Sequence, residues 1–131
     1  MGDRVILLDT SILISPDVVE LPEEGFAVSA LSYAELAFGI AVARDRDERE
    51  SRQFRLSWIE SLGVEWLPFD ERAAEGYAAM AAIVHASRRA HSRSKDILIA
   101  GHAYALGAGV ATLNPKDFEL VSTRVRIIGP N

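Results

Sequence analysis

The chain has 131 residues, no cysteine and a formal net charge of −5, from 14 basic and 19 acidic side chains. This length fits a single domain, and the missing cysteines exclude disulfides, thiolate metal sites and cysteine nucleophiles. The acidic charge disfavours a broad surface that binds nucleic acid without regard to sequence, although a local basic patch remains compatible with it.

The first predicted element is a buried strand that ends in an acid. Residues 5–8 are apolar in succession, which is typical of a strand buried on both faces of a parallel sheet. Asp9 follows, with the hydroxyls of Thr10 and Ser11 directly behind it. Because a charge near a low-dielectric interior is costly unless it is paired, Asp9 either caps the following turn or binds a cation. The sequence "SILISP" then predicts a short helix.

A second acid occupies a similar place. The sequence "FAVSA" predicts a second strand, and "LSYAELAFGIAVA" predicts a mostly buried helix. Ser32 and Glu35 have the spacing of a capping box, which would put Glu35 at the start of this helix. Residues 44–62 predict an outer amphipathic helix whose Phe54 and Trp58 lie in the core or at an interface.

The rest of the chain continues the alternation of strands and helices. We predict a strand at "VEWLPF", a helix N-capped by Asp70, and a helix from "SKDILIA" that ends at Gly107 or Gly109. A strand at "GVATLN", a turn or short helix at "PKDFEL" and a last strand at "VRIIG" follow. The pattern predicts an α/β domain with a mainly parallel sheet of about four or five strands and helices on both faces.

Four acids follow or precede strands where they can reach one edge of this sheet. They are Asp9, Glu35, Asp96 and Asp117. Carboxylates gathered there would repel one another by roughly 4 kcal/mol per pair at 4 Å with an effective dielectric of 20. A hard divalent cation such as Mg²⁺ or Mn²⁺ removes this repulsion and can activate water against a phosphodiester. Taken singly, each acid also has a structural role open to it, as a helix cap, a helix-start acid or a turn former.

Three segments resemble those of PIN-domain ribonucleases, and in particular the VapC-type toxins of toxin–antitoxin pairs. They are "LLDTSILI", "SYAELAFGI" and "KDILIAGHAYALGAGVATLNPKDF", so the resemblance covers nearly the whole chain. It implies a three-layer α/β/α fold and a single PIN-like domain over residues 1–131. The chain departs from the family at Gly101 and His102, where two alanines are usual, and we expect this to affect helix packing rather than metal chemistry.

The resemblance also implies roles for individual residues. Asp9, Glu35, Asp96 and Asp117 would be the catalytic acids that hold Mg²⁺ or Mn²⁺, with polar support from Thr10, Ser11, Thr112 and Asn114. A basic cluster beside Asp96 is expected to bind RNA phosphates, and it consists of Arg88, Arg89, Arg93 and Lys95.

The function implied is that of an endoribonuclease toxin. Metal-activated water would cleave a cellular RNA, such as transfer or ribosomal RNA, leaving a 5′-phosphate and a 3′-hydroxyl. The implied partners are this RNA, a small VapB-type antitoxin and a second copy in a homodimer, which the apolar sequence around Glu35 also favours. With no visible export signal and no apolar run long enough to cross a bilayer, we expect a cytoplasmic protein.

Three other classes of function fit parts of this sequence. A receiver-type phosphoacceptor domain needs an acidic pair at the end of its first strand, where Asp9 stands alone, and a haloacid-dehalogenase-type phosphatase needs an acid at Ser11. A non-catalytic metal- or RNA-binding module would be marked by loss of one of the four acids, and all four are present. The histidines His85, His91 and His102 lack metal-ligand spacing, so we assign them surface or packing roles.

Overall fold

The computed structural model describes residues 5–15, 25–87 and 94–130. The strands are β1 (Ile6–Leu8), β2 (Phe26–Ser29), β3 (Trp66–Leu67), β4 (Gly109–Ala111) and β5 (Ile127–Ile128). The helices are α1 (Thr10–Leu13), α2 (Ala30–Ala41), α3 (Arg46–Ser61), α4 (Glu71–Ala86) and α5 (Ser94–Leu106), with a 3-10 helix at Pro115–Val121. Within these ranges, no helix combines the length and apolarity needed to cross a membrane.

The five strands form one parallel sheet in the order β3-β2-β1-β4-β5. Strands β2 and β3 lie on one side of β1, and β4 and β5 lie on the other side. The strand order therefore reverses between β1 and β4, where Leu8 is aligned with Ala111. In open parallel sheets, the crevice beyond the carboxyl ends of the strands at such a reversal is where ligands bind.

Helices cover both faces of the sheet, which confirms the predicted three-layer α/β fold. Leu7 points into a core shared with α4 and α5, where it joins Met80 and Ile99. Ile6 and Leu8 point the opposite way, into a core shared with α1, α2 and α3. All three residues of β1 are at most 1% exposed, as predicted for a strand buried on both faces.

Helix α2 differs from its prediction in two respects. It begins at Ala30, and its N-cap is Ser29, whose Oγ accepts a hydrogen bond from Leu31 N at 3.1 Å. The predicted capping box of Ser32 and Glu35 is wrong because β2 runs directly into the helix, which leaves Ser32 buried inside the first turn. The expectation of a mostly buried helix is also wrong, since only Ser32 and Leu36 are buried and Phe38 is 67% exposed.

Helix α3 also carries exposed apolar side chains. Phe54 is 74% exposed and Trp58 is 54% exposed, whereas Ile59 supplies the buried contact. These aromatic residues are therefore outside the core, and their predicted place at an interface stays a prediction. The helix is N-capped by Asp45, which accepts from Glu48 N at 2.8 Å.

Other helix boundaries agree with the sequence. Asp70 caps α4 as predicted, with its Oδ1 accepting from Ala73 N at 3.0 Å. Of the two glycines proposed to end α5, Gly107 does so, at a φ of +66° that side chains of L-residues rarely adopt.

Two glycines allow α4 and α5 to pack in close contact. A Cβ atom on Gly76 would lie 2.1 Å from the carbonyl oxygen of Gly101, and one on Gly101 would lie 2.3 Å from Tyr77 N. These positions have no room for a methyl group because the nearest atoms belong to backbone. The expectation that Gly101 affects helix packing is confirmed.

We expect Gly101→Ala to lower the free energy of unfolding by about 1–3 kcal/mol or more, because the two helix backbones must separate. Urea denaturation followed by circular dichroism measures this change. Gly39→Ala is the matched control in α2, where a Cβ would be 3.7 Å from the nearest atom of Arg52. The control should be neutral or stabilising by up to about 1 kcal/mol, and equal losses in both variants would contradict the packing argument.

Candidate functional site

Asp9 lies directly beyond the carboxyl end of β1, at the reversal of strand order. It is 8% exposed, and its backbone N–H donates to the carbonyl oxygen of Ala111 at 2.8 Å. Its Oδ2 accepts two hydrogen bonds of 2.8 Å, one from the hydroxyl of Ser11 and one from the hydroxyl of Thr112. The carboxylate is thereby fixed between the start of α1 and the end of β4.

The two hydroxyls that donate to Asp9 are themselves held by backbone. Leu113 N donates to Ser11 Oγ at 3.1 Å, and Asn114 N donates to Thr112 Oγ1 at 3.0 Å. Both backbone donors belong to the turn after β4. The predicted supporting residues Ser11 and Thr112 thus contact Asp9 through their side chains, whereas Asn114 acts through its backbone amide.

Glu35 belongs to a second set of contacts next to the first. Thr10 Oγ1 lies 2.9 Å from Glu35 Oε1 and 2.9 Å from Ser32 Oγ. Since a carboxylate only accepts and Thr10 has one hydroxyl proton, Thr10 donates to Glu35 and Ser32 donates to Thr10. Glu35 Oε2 forms an ion pair with Lys95 Nζ at 3.2 Å. This pair brings the first turn of α5 against α2.

Ser32 is the member of this set that the sequence did not assign to the site. It is fully buried and forms a bridge from α2 to Thr10. Its spacing from Glu35 is the available signal, although the same spacing also predicts a capping box.

The other two predicted acids, Asp96 and Asp117, belong to α5 and to the 3-10 helix after β4. Asp96 is half-buried in the first turn of α5, and its Oδ2 atom is buried. Asp117 is exposed in the 3-10 helix, where its N–H donates to Asn114 O at 3.0 Å. Within residues 5–15, 25–87 and 94–130, no group of three Asp, Glu or His side chains is placed to hold a metal ion.

The predicted basic cluster is described only at Lys95, whose side chain is 66% exposed and pairs with Glu35. Arg88, Arg89 and Arg93 lie outside the described residues. Their assignment to RNA phosphates, like that of Lys95, stays a prediction.

His102 links the two helices that carry Glu35 and Lys95. It is 2% exposed, its Nδ1 lies 2.9 Å from Ser29 Oγ, and its ring packs edge-on against Phe69. Burial lowers the pKa of His102, and the charge of Asp70 opposes this shift. The residue therefore has the packing role that the sequence indicated, at the N-cap of α2.

A groove of about 1040 Å³ opens beside Glu35, between α1, α2 and α3. Its apolar wall includes Ile14, Phe38 and Val42, each at least half exposed. Its polar wall includes Thr10, Glu35 and Lys95, so the groove and the second set of contacts share side chains.

The donor chemistry of this edge fits a hard divalent cation. The carboxylates of Asp9 and Glu35 provide oxygen ligands of the type that Mg²⁺ and Mn²⁺ prefer. Glu35 Oε2 already pairs with the ammonium of Lys95, so one positive charge lies at this edge of the sheet.

Comparison with known proteins places the chain in a recognised group. The family model described as "PIN domain" matches residues 6–123. Similar solved structures include VapBC-5 from Mycobacterium tuberculosis, a member of the VapBC family of toxin–antitoxin systems, with 28% identity and a TM-score of 0.80. That match covers 96% of this chain and 98% of the other. The comparison with curated protein sequences gives no match.

Two further solved structures have the same fold. FitAcB from Neisseria gonorrhoeae is 27% identical with a TM-score of 0.76, over 95% of this chain and 97% of that one. VapBC2 from Rickettsia felis, solved with a DNA fragment from its promoter, has a TM-score of 0.80 over 98% of this chain and 100% of that one. At 21% identity, the latter likeness concerns the fold alone.

We expect Thr112→Val to reduce the free energy of unfolding by about 1–3 kcal/mol, because buried Asp9 Oδ2 loses a donor and Asn114 N loses its acceptor. Chemical denaturation at neutral pH measures the change. Thr123→Val removes the same hydroxyl from an exposed position and should change stability by no more than about 0.5 kcal/mol. Similar effects at both positions would contradict a structural role for the Thr112 hydroxyl.

Proposed function

The chain belongs to the PIN-domain family, and we propose that it is a metal-dependent endoribonuclease, the toxin of a toxin–antitoxin pair. PIN-domain proteins are typically nucleases and generally depend on a metal ion. The observation that carries the proposal is the Asp9 carboxylate, held by two hydroxyls at the strand reversal between β1 and β4. The matches to VapBC structures along nearly the full chain support the toxin assignment.

The residues proposed to hold the metal are the four predicted acids. They are Asp9, Glu35, Asp96 and Asp117. A bound Mg²⁺ or Mn²⁺ would supply an activated water and neutralise charge on the phosphate. Ser11 and Thr112 keep the Asp9 carboxylate in one orientation, and Thr10 does the same for Glu35.

The proposed substrate is a cellular RNA, with transfer or ribosomal RNA as the expected class. Lys95 lies at the edge of the site and is largely exposed, which suits contact with a phosphate. Arg88, Arg89 and Arg93 precede it closely in sequence and are proposed to extend this contact. Binding of exposed single-stranded bases would then decide which RNA is cleaved.

We further propose that a VapB-type antitoxin occupies the groove between α1, α2 and α3. The solved relatives described above include toxin–antitoxin complexes, which supports such a partner. Phe38 and Val42 project from α2 into a groove large enough for a helix or an extended segment. An apolar segment bound there would gain affinity from these side chains and would lie beside Glu35.

The proposed homodimer has a separate apolar surface available. Phe54, Trp58 and Leu62 are exposed at helical spacing on α3, and none of them lines the groove. A second copy covering this stripe would leave Phe38 and Val42 accessible to the antitoxin.

Asp9→Asn should reduce RNA cleavage by about a hundredfold or more, since it removes a charged ligand while keeping the shape of the side chain. Purified protein is incubated with transfer and ribosomal RNA in Mg²⁺ or Mn²⁺, and cleaved ends are sequenced. Chelation should abolish cleavage by the unaltered protein. Glu60→Gln, at an exposed position of α3, serves as the control and should remain active. Metal-independent cleavage, or full activity of Asp9→Asn, would exclude the proposed mechanism, and no cleavage at all would favour a non-catalytic module.

Phe38→Ser should weaken antitoxin binding about tenfold or more, because an exposed aromatic anchor of the groove is lost. Isothermal titration with the protein encoded beside this gene measures the affinity. Tyr104→Ser is the matched control, since Tyr104 is an exposed aromatic residue of α5 that lies outside both the groove and the apolar stripe of α3. If the two variants bind equally well, the groove is not the docking site.

A further inference from the structure

The Glu35 carboxylate is held from two sides by groups of different kinds. On Oε1 it accepts from the hydroxyl of Thr10, which is buried. On Oε2 it pairs at 3.2 Å with Lys95 Nζ, whose side chain is 66% exposed against 27% for Glu35. The first contact is part of the folded interior, whereas the second comes from a flexible chain in solvent.

An ion pair with these exposures is easily broken. Ordering a long lysine side chain costs entropy, water competes for its ammonium, and dissolved salt screens the attraction. Thr10 and Lys95 contact different oxygens of Glu35, so the carboxylate has a hydrogen bond that orients it besides the pair with the lysine. What Lys95 adds is one positive charge at the outward-facing oxygen.

We propose that Lys95 is a built-in counter-ion that occupies Glu35 until a divalent metal displaces it. This inference rests on the proposed function, because it takes Glu35 to be one of the metal-holding acids. The ammonium and the metal compete for the same carboxylate oxygen. Lys95 therefore sets the metal concentration at which the site fills, and removing its charge raises metal affinity.

The competition between Lys95 and the metal should change metal affinity by a limited factor that depends on salt. An exposed ion pair of this kind is worth a factor of up to about five in affinity. The effect should be largest at low ionic strength and should shrink as salt screens the pair. A phosphate-binding role for Lys95 alone predicts something else, namely weaker RNA binding with unchanged metal affinity.

The test is Mn²⁺ binding in the absence of RNA, measured by electron paramagnetic resonance of the free ion. Lys95→Met removes the charge and keeps the length of the side chain, and it should bind Mn²⁺ about three- to fivefold more tightly at low salt. Lys95→Arg keeps the charge and should bind no more tightly than the unaltered protein. Arg124→Met removes one positive charge from an exposed residue at the opposite edge of the sheet, so it controls for net charge.

A second comparison assigns the effect to Glu35. In a Glu35→Gln background, Lys95→Met should change Mn²⁺ affinity by less than about 1.5-fold, because the carboxylate for which the charges compete is gone. Thermal unfolding of every variant in chelator checks that the fold is retained.

The results separate this inference from the proposed function. If the unaltered protein binds Mn²⁺ and cleaves RNA but Lys95→Met binds like Arg124→Met, the counter-ion role is wrong and the nuclease assignment stands. Weaker RNA binding with unchanged Mn²⁺ affinity would likewise overturn it in favour of phosphate contact. A protein that binds no Mn²⁺ would contradict both the metal site and the role of Lys95.

Discussion

The burial of one carboxylate at the end of a fully buried strand is the constraint on which this site depends. Asp9 follows three residues that are at most 1% exposed, and its own side chain has little access to water. Such a group is destabilising unless hydrogen bonds replace its hydration. The hydroxyls of Ser11 and Thr112 provide them, and the backbone of the turn after β4 fixes both hydroxyls. Hydrogen bonds to the Asp9 side chain and to its two hydroxyl donors therefore help to fix both the start of α1 and the turn after β4.

Asp9 and Glu35 are stabilised differently, and this has a chemical consequence. Asp9 is held by neutral hydroxyl donors, which orient it without cancelling its charge. Glu35 has a neutral donor on one oxygen and an ammonium on the other. The hydroxyls are fixed parts of the fold, whereas the ammonium is exposed and exchangeable. A cation that enters this edge would therefore meet preoriented oxygens and, among the described residues, the weakly held ammonium of Lys95.

The sequence predicted those parts of the molecule that follow from strong local patterns. The apolar run before Asp9, the cap at Asp70 and the glycine at position 107 each reflect a local requirement of burial, hydrogen bonding or backbone conformation. The start of α2 does not follow from the local sequence, because Ser29 and Ser32 are both suitable caps and only the pairing of β2 with β3 makes Ser29 the last residue of β2. The exposure of Phe38 and Trp58 could not be predicted, because an apolar residue that contacts a partner has the same local pattern as one that packs in the core. The contact of Gly76 with Gly101 joins two helices, so no local pattern reveals it.

The groove and the carboxylate site share Thr10, Glu35 and Lys95, and this sharing would link binding of the proposed partner to binding of the proposed metal. A segment that fills the groove has to lie against Lys95 or move it, and either event changes the charge next to Glu35. By linkage, a partner that alters metal affinity by some factor has its own affinity altered by the same factor when metal binds. A cationic segment would replace the metal, and an acidic one would draw Lys95 away from Glu35. The charge of the bound segment near Glu35, rather than its apolar anchors, therefore decides whether partner and metal exclude each other.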